Sequence, residues 1–152
     1  MSAAEPVARV LDAVGGAAPE VRAALPDRRG RTGAKNPTGD ERLAADAHAD
    51  DLLTDRLGAV EGVARVASEE RERPTETGAG ALSVTIDPLD GSSNLRSNNL
   101  MGTVVGVFEG GLPAGGDALR AAGYVLYGPV TTMTTVRDGT VTWQWNASTF
   151  YE

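Results

Sequence analysis

The stretch "IDPLDGSSN" (86–94) concentrates groups that can bind a metal ion and an anion. Asp87 and Asp90 stand on either side of the rigid Pro88, so both carboxylates can point toward one place. Carboxylate oxygens are the ligands that Mg²⁺ prefers, and the backbone carbonyl of Leu89 is a further oxygen between them. Aspartate, glycine, serine and asparagine are also ordinary turn residues. The stretch alone therefore leaves a surface turn as the alternative.

The "GSSN" part of this stretch has the features of an anion site. Gly91 lets a ligand approach the backbone, Ser92 and Ser93 supply hydroxyl and N–H donors, and a helix beginning here would add its dipole. A nucleophilic serine is the competing interpretation. Its support is weak because "GxSxG" is absent and the single histidine, His48, is predicted on the far side of its helix from Asp46. Carboxylates beside a phosphate-binding loop favour metal-assisted hydrolysis of a phosphate ester.

A helix predicted over residues 40–57 carries two aspartates on its apolar side. At about 100° per residue, Asp46 and Asp50 share one face with the leucines at 43, 53 and 57. A buried, unpaired carboxylate is costly, so each aspartate needs a cation, a donor or a shifted pKa. The alternative is that the helix phase is wrong and Asp50 reaches water.

A glutamate pair, Glu69 and Glu70, directly follows a predicted strand over residues 62–68. Ligands of open α/β sheets collect at the carboxyl ends of strands, which makes the pair a candidate. Two neighbouring surface glutamates are the plainer interpretation.

The elements that would position these groups follow from the apolar patterns. Residues 5–26 predict two short helices separated at Gly15–Gly16, and the basic stretch 26–39 predicts a loop. Further strands are predicted over 81–86, 102–109 and 123–136, with a charged loop over 69–80 and a hairpin at Asp138–Gly139 leading into "VTWQW". Asp87 is placed where the strand 81–86 ends. Helix followed by several strands predicts an α+β or layered α/β domain, with helices packed on a mixed sheet.

Composition narrows the class of protein. The chain of 152 residues has the length of one domain, and its hydrophobic content of 41% excludes wholesale disorder. The absence of cysteine excludes a disulfide scaffold and a thiolate site. A net charge of −7 argues against a nucleic acid partner. With no apolar run long enough for a membrane span and no signal-like N-terminus, we expect a cytoplasmic protein.

The charged residues are mostly acidic, and the basic ones are almost all arginine. Among the 14 basic residues only Lys35 is a lysine, against 21 acidic residues. An acidic, lysine-poor surface suits a salt-rich cytoplasm, because counterions screen its self-repulsion. We therefore predict a halophilic-like protein.

Several spaced motifs resemble one family. "DPLDGSSN" (87–94) is similar to the motif of class 1 fructose-1,6-bisphosphatases, a branch of the Mg²⁺-dependent, lithium-sensitive sugar-phosphate and inositol phosphatases. Inositol phosphatases usually carry a threonine after the glycine, so Ser92 favours the fructose-bisphosphatase branch. The likeness extends to further segments in the same order: "GDERLAAD" (39–46), "ASEE" (67–70), "GTVVGVFE" (102–109) and "AAGYVLYGPVTTM" (121–133). It covers roughly residues 35 to 140.

The resemblance implies the N-terminal domain of the sugar phosphatase fold and Mg²⁺-dependent hydrolysis of the 1-phosphate of fructose 1,6-bisphosphate, in gluconeogenesis. It also assigns roles to individual residues. The metal ligands, for Mg²⁺ or alternatively Mn²⁺, would be Glu69, Asp87, Asp90 and the Leu89 carbonyl. The residues that position and activate the attacking water would be Asp40, Asp46 and Glu70, the last also as a possible metal ligand. The 1-phosphate would be held by Asp90, Gly91, Ser92 and Ser93.

The chain departs from this family in two respects. The family usually has isoleucine and aspartate after "SSN", where this chain has Leu95 and Arg96; Arg96 reaches a phosphate or marks a subgroup. Family members are also about twice as long, and their second half supplies a further metal carboxylate, a substrate-binding arginine and the residues that hold the 6-phosphate.

The predicted organisation is one domain over 1–152 that lacks this C-terminal sugar-binding half. It comprises N-terminal helices (1–34), the motif-bearing core (35–140) and a divergent or truncated tail (141–152). An open sheet edge would then predict a homo-oligomer or marginal stability. Two alternatives stay open: an inositol monophosphatase-like sugar phosphatase, and an inactive fragment that binds metal or phosphate.

Overall fold

The computed structural model describes the backbone of residues 4–145 and the side chains of residues 5–142. Over this range the chain forms two α-helices, α1 (Ala4–Ala24) and α2 (Ala44–Gly58). The strands are β1 (Arg31–Lys35), β2 (Glu41–Leu43), β3 (Val63–Ser68), β4 (Thr75–Glu76), β5 (Leu82–Asp90), β6 (Met101–Glu109), β7 (Leu119–Tyr127), β8 (Thr131–Arg137) and β9 (Thr140–Trp145). Two 3-10 helices lie at Ser92–Ser97 and Gly116–Ala118.

The strands form one small and one large sheet. β1 and β2 pair as an antiparallel hairpin, and the other seven lie in the order β4-β3-β5-β6-β7-β8-β9. β3 and β5 run parallel, whereas every other neighbouring pair in the large sheet is antiparallel. The prediction of helices packed on a mixed sheet is confirmed.

The core lies between one face of the large sheet and the two helices, which also contact each other. Val84, Val107 and Ala121 are cross-strand partners on this face, and all three are buried. Each such valine stabilises the fold by roughly 1.5–3 kcal/mol relative to an exposed one. The core therefore fixes the positions of β3, β5 and α2, the elements that carry the candidate site.

The predicted break at Gly15–Gly16 is wrong, because α1 continues through both glycines and through Pro19. The apolar stripe does not stop there: Val14 and Ala17 are both buried. Gly15 lies against Met133, whose sulfur would be 3.3 Å from an added Cβ. Packing on the sheet thus overrides the low helix propensity of glycine.

The predicted loop 26–39 and the predicted helix start at Asp40 are also wrong. The β1–β2 hairpin occupies residues 31–43, and α2 begins only at Ala44. All five β1 residues are exposed, so the alternation that reveals a strand is absent. The backbone N–H of Leu43 donates to the Asp46 carboxylate at 2.7 Å and so caps the beginning of α2.

At the C-terminal end, the predicted strand 123–136 is two strands, β7 and β8, joined by a turn at residues 128–130. The hairpin at Asp138–Gly139 is confirmed: both residues have positive φ, 50° and 75°, as a type I′ turn requires. The rest of the predicted tail, 146–152, lies outside the described residues.

The large sheet ends at β4 and β9. On β9, Val141 is 68% exposed. An exposed edge strand of this kind is a template for pairing with another chain, and oligomerisation stays a prediction. No helix in the described part of the chain is long and apolar enough to cross a membrane.

Gly80→Ala is expected to destabilise the fold by about 2 kcal/mol or more, because an added Cβ would lie 2.0 Å from the backbone oxygen of Gly62. Urea unfolding followed by circular dichroism measures this loss. Gly116→Ala is the matched control, since nothing lies within 4 Å of its added Cβ. Equal stability of the two variants would contradict the close backbone contact.

Candidate active site

One cavity of about 440 Å³ lies where the first turn of α2 meets the ends of β3 and β5. It is lined by all ten residues to which the sequence assigned a role: Asp40, Asp46, Glu69, Glu70, Asp87, Leu89, Asp90, Gly91, Ser92 and Ser93. Arg96 lines it as well, together with Arg31, Asn36 and Glu41, which sequence reasoning did not single out. Residues from the β1–β2 hairpin, α2, the end of β3 and the end of β5 are therefore brought together.

A β-bulge positions the two aspartates of β5. The strand does not end at residue 86 as predicted but continues to Asp90. Asp87 pairs with Val104 and Asp90 with Gly102, so three steps on β5 oppose two on β6. Val104 and Gly102 are two residues apart on β6 and therefore project to the same face of the sheet. Directly paired residues also share a face, so the extra residue on β5 places the side chains of Asp87 and Asp90 on one side of the sheet.

Local contacts hold this bulge. Pro88 has no N–H to lose from the ladder, and its carbonyl accepts a hydrogen bond from the Thr103 hydroxyl at 2.8 Å. The backbone N–H of Leu89 donates to Asp87 Oδ1 at 3.1 Å. Asp87 is thus oriented by its own turn.

Glu69 and Asp87 form a repulsive pair at the ends of the parallel strands. The N–H of Glu69 donates to the Ile86 carbonyl at 3.0 Å, which places Glu69 beside Asp87. Burial, followed by the charge of Glu69 and, to a smaller extent, the charge of Asp90, raises the pKa of Asp87 to about 7. The site thus disfavours a negative charge on Asp87.

Asp46 lines the cavity from the first turn of α2 and Glu70 from the segment after β3, and each has a buried oxygen without an aligned donor in the described structure. Asp46 accepts from Leu43 through Oδ2, which leaves Oδ1 unbonded. Glu70 Oε2 lies 2.9 Å from Arg42 Nε without the alignment of a hydrogen bond. Burial raises the pKa of both carboxyls; for Glu70 the charge of Asp46 adds to this effect.

Asp50, the other aspartate on the apolar stripe, does not line the cavity. It is 1% exposed and its carboxylate binds two arginines, Arg42 at 3.0 Å and Arg71 at 2.9 Å. The helix phase was therefore right, and the required cation is supplied by arginine. Sequence reasoning missed both arginines; each directly follows a glutamate, Glu41 or Glu70, and that adjacency was the available signal.

The serine loop begins at Gly91, whose φ of 75° lies in the left-handed region that glycine adopts without strain. The predicted helix start is a 3-10 helix, Ser92–Ser97, too short to act as a helix dipole. Ser92 and Ser93 line the cavity, whereas His48 does not, so no imidazole base accompanies the serines among the described residues. This arrangement gives the nucleophilic-serine interpretation no support.

The donor set of the cavity fits a hard cation. It offers only oxygen ligands of the carboxylate, carbonyl and hydroxyl types, and two of its buried carboxylate oxygens have no aligned donor. Over the described residues, no three acidic or histidine side chains are arranged to enclose one ion. The structure brings the predicted ligands into one cavity without forming a closed coordination shell.

The fold and the site define an α+β domain with an acidic cavity beside a loop that carries two serines. Its architecture is found in a solved structure, the fructose-1,6-bisphosphatase of Leishmania major in holo form, with a TM-score of 0.79. The match covers 93% of this chain and 50% of that one at 22% identity, which shows the shared fold alone.

Sequence comparison shows the family. Residues 17–150 match the family model described as "Fructose-1-6-bisphosphatase, N-terminal domain". The class 1 fructose-1,6-bisphosphatase of Halobacterium salinarum is 54% identical over 140 residues, covering 91% of this chain and 49% of that protein. The corresponding protein of Natronomonas pharaonis is also 54% identical, covering 91% and 50%. The chain belongs to the class 1 fructose-1,6-bisphosphatase family, as the motifs predicted, and it spans about half the length of these relatives.

Proposed function

We propose that this chain carries the metal- and 1-phosphate-binding part of a fructose-1,6-bisphosphatase. The reaction is hydrolysis of the 1-phosphate of fructose 1,6-bisphosphate to fructose 6-phosphate and phosphate. One observation supports the proposal most strongly: the ten residues with assigned roles, from separate segments of the chain, line a single cavity. Relatives at 54% identity that bear this enzyme name favour this substrate over an inositol phosphate.

In this proposal Mg²⁺, or Mn²⁺ in its place, is held by Glu69, Asp87, Asp90 and the carbonyl of Leu89. When bound, the metal supplies Lewis-acid polarisation of the phosphoryl oxygens. The support is electrostatic: Asp87 resists ionisation at neutral pH because it is buried beside Glu69 and Asp90, and a divalent cation removes that repulsion.

The 1-phosphate is assigned to Asp90, Gly91, Ser92 and Ser93. Gly91 has no side chain to block an approaching phosphate oxygen, and the two serines carry hydroxyl donors at the cavity wall. Asp90 would contribute to phosphate binding through the cation, as one of its carboxylate ligands.

Asp40, Asp46 and Glu70 are assigned to the attacking water. The raised pKa of Asp46 and of Glu70 brings both closer to the working pH, which suits groups that accept a proton from water. Asp40 lies in the β1–β2 turn, where its carboxylate accepts from the Thr38 hydroxyl at 3.1 Å, and it lines the cavity.

The direct test is Mg²⁺-dependent phosphate release from fructose 1,6-bisphosphate, with inositol 1-phosphate as the competing substrate. Asp90→Asn is expected to lower kcat/KM by at least about 100-fold, because it removes a charge from both metal and phosphate binding. Asp117→Asn, an exposed aspartate outside the cavity, is the matched control and should change it less than twofold. Release unaffected by Asp90→Asn, or faster release from inositol 1-phosphate, would contradict the proposal.

A fragment that binds metal and phosphate without turnover is the second candidate, because the chain spans only about half the length of its relatives. Mg²⁺ binding without phosphate release of any kind would favour it.

We also infer a homo-oligomer, since the exposed edge β9 is able to pair, and a sizing column gives its mass. The acidic composition suits a salt-rich cytoplasm, which is the compartment that the proposal assumes.

The stabilisation of the protein by Mg²⁺ is expected to depend on pH through Asp87. This carboxyl has a folded pKa of about 7, above its ordinary value, so it holds its proton in the metal-free fold below pH 7 and must lose it to bind a cation. The rise in melting temperature caused by a fixed Mg²⁺ concentration should therefore be full at pH 8 and fall steadily below pH 7. Thermal unfolding across this range measures it, and an Mg²⁺ effect that is constant from pH 8 to pH 5 would contradict the assignment.

A further inference from the structure

A second cavity, of about 530 Å³, adjoins the candidate active site and has the opposite charge. Arg22, Arg29 and Arg96 line it, and no aspartate or glutamate is among its described lining residues. Arg96 lines both cavities. The chain has 21 acidic residues and a net charge of −7, so a cavity whose described lining holds arginines and no carboxylate is unusual in it and favours an anion.

The arginines come from three different segments of the chain, and two of them, Arg29 and Arg96, carry the argument for a ligand. Arg22, near the end of α1, donates to the Thr131 hydroxyl at 2.7 Å, a contact that holds it over the β7–β8 turn. Arg29 donates through Nε to the neutral carbonyl of Pro26 at 2.9 Å. Neither Arg29 nor Arg96 pairs with any carboxylate among the side chains of residues 5–142, so no described acidic group compensates their charges.

The floor of this cavity is apolar. Leu95, Met101 and Tyr127 line it and are each less than 10% exposed. The Tyr127 hydroxyl is engaged with Thr103 at 2.8 Å, which leaves its ring as part of the floor. Leu100, at the rim, is 51% exposed. A cationic rim above an apolar floor suits an anionic group attached to an apolar body.

We propose that this arginine-lined cavity is a separate binding site for a small organic phosphate, a phosphate monoester whose apolar part lies on the floor formed by Leu95, Met101 and Tyr127. Arg29 and Arg96 bind the phosphate oxygens. The site goes beyond the proposed hydrolysis, since the serine loop and the carboxylates belong to the other cavity.

The test is calorimetric titration of the metal-free chain with phenyl phosphate and with inorganic phosphate, at constant ionic strength and with a chelator present. Without a divalent cation the carboxylate cavity repels anions, so saturable binding reports the arginines. Phenyl phosphate is expected to bind with a stoichiometry of one and about tenfold more tightly than inorganic phosphate, because its ring covers the apolar floor.

Arg29→Gln and Arg96→Gln should each weaken phenyl phosphate binding about tenfold or more, as expected for the loss of one charge-assisted contact. Arg73→Gln, which removes an exposed arginine outside the cavity, is the charge-matched control and should leave binding within twofold. Ser93→Ala tests the serine loop and should also leave binding unchanged. Arg29→Gln is the decisive variant, because Arg29, unlike Arg96, does not line the carboxylate cavity.

The proposal is overturned if binding is not saturable, if Arg29→Gln and Arg73→Gln weaken it equally, or if Ser93→Ala abolishes it. Circular dichroism of each variant establishes that it is folded. Asp90→Asn separates this site from the proposed function: it should remove Mg²⁺-dependent phosphate release and leave the metal-free binding of phenyl phosphate intact.

Discussion

Asp87→Asn is expected to make the metal-free protein more stable and to abolish its Mg²⁺-dependent activity. The asparagine keeps an oxygen that can accept the Leu89 N–H, so the bulge is retained. At the same time it removes a charge that burial, Glu69 and Asp90 all disfavour. We expect a gain of about 1–2 kcal/mol in the free energy of unfolding at pH 8, after allowance for solvent screening, and a loss of at least about 100-fold in kcat/KM.

The pH dependence of this gain has a definite sign. The folded pKa of Asp87 is raised, so ionisation destabilises the wild-type fold increasingly as pH rises from about 4 to about 7. The advantage of Asp87→Asn should therefore be full above pH 7 and decline toward pH 4. Urea unfolding at pH 8 and pH 4.5, without metal, measures it. If the variant is less stable than the wild type at pH 8, Asp87 stabilises the fold and the prediction is wrong.

Asp50→Ala is expected to cost about 3 kcal/mol of stability. Asp50 is 1% exposed and joins Arg42 to Arg71, so its removal leaves two partly buried guanidinium groups without their shared partner. Arg42 also contacts Glu70, which lines the candidate active-site cavity. Removal of Asp50 should therefore also disturb the position of Glu70.

Asp51→Ala is the matched comparison for this effect. Asp51 is the next residue and also pairs with Arg71, at 2.9 Å, but its side chain is 73% exposed. Its removal should cost less than about 1 kcal/mol. Chemical denaturation of the two variants side by side decides the point, and equal losses would mean that the buried network contributes little.

The residues that line the candidate cavity could be selected from the sequence because they lie in short, contiguous motifs. The spacing of Asp87 and Asp90 around Pro88, followed by Gly91 and the serines, indicated cation and phosphate binding before any fold was known. Most strands of the large sheet were predicted for a similar reason, since their alternating apolar residues face the core.

What could not be predicted depends on contacts between distant segments. The bulge that turns Asp87 and Asp90 to one side exists only in register with β6, and strand periodicity alone ended β5 too early. The β1–β2 hairpin is exposed throughout β1 and therefore has no periodic pattern to read. The continuity of α1 through Gly15–Gly16 is likewise a result of packing on the sheet.

The ion pairs of Asp50, beside the candidate site, also depend on contacts that the sequence alone does not reveal. The helical stripe indicated that this aspartate is buried and needs a cation, but two kinds of cation satisfy that need. Arg71 lies 21 residues away in the chain, and only the fold brings it to 2.9 Å from the carboxylate. Asp46, on the same stripe, has no such arginine at its free oxygen and lines the cavity instead.

A crystal structure of the chain grown with Mn²⁺ and inorganic phosphate, with anomalous diffraction to locate the ion, tests the central claim most directly. The account predicts an anomalous peak bonded to oxygens of Glu69, Asp87 and Asp90, with a phosphate between that ion and the serines of the loop. Manganese bound only elsewhere on the protein, with Glu69 and Asp87 making no contact to it, would contradict the account.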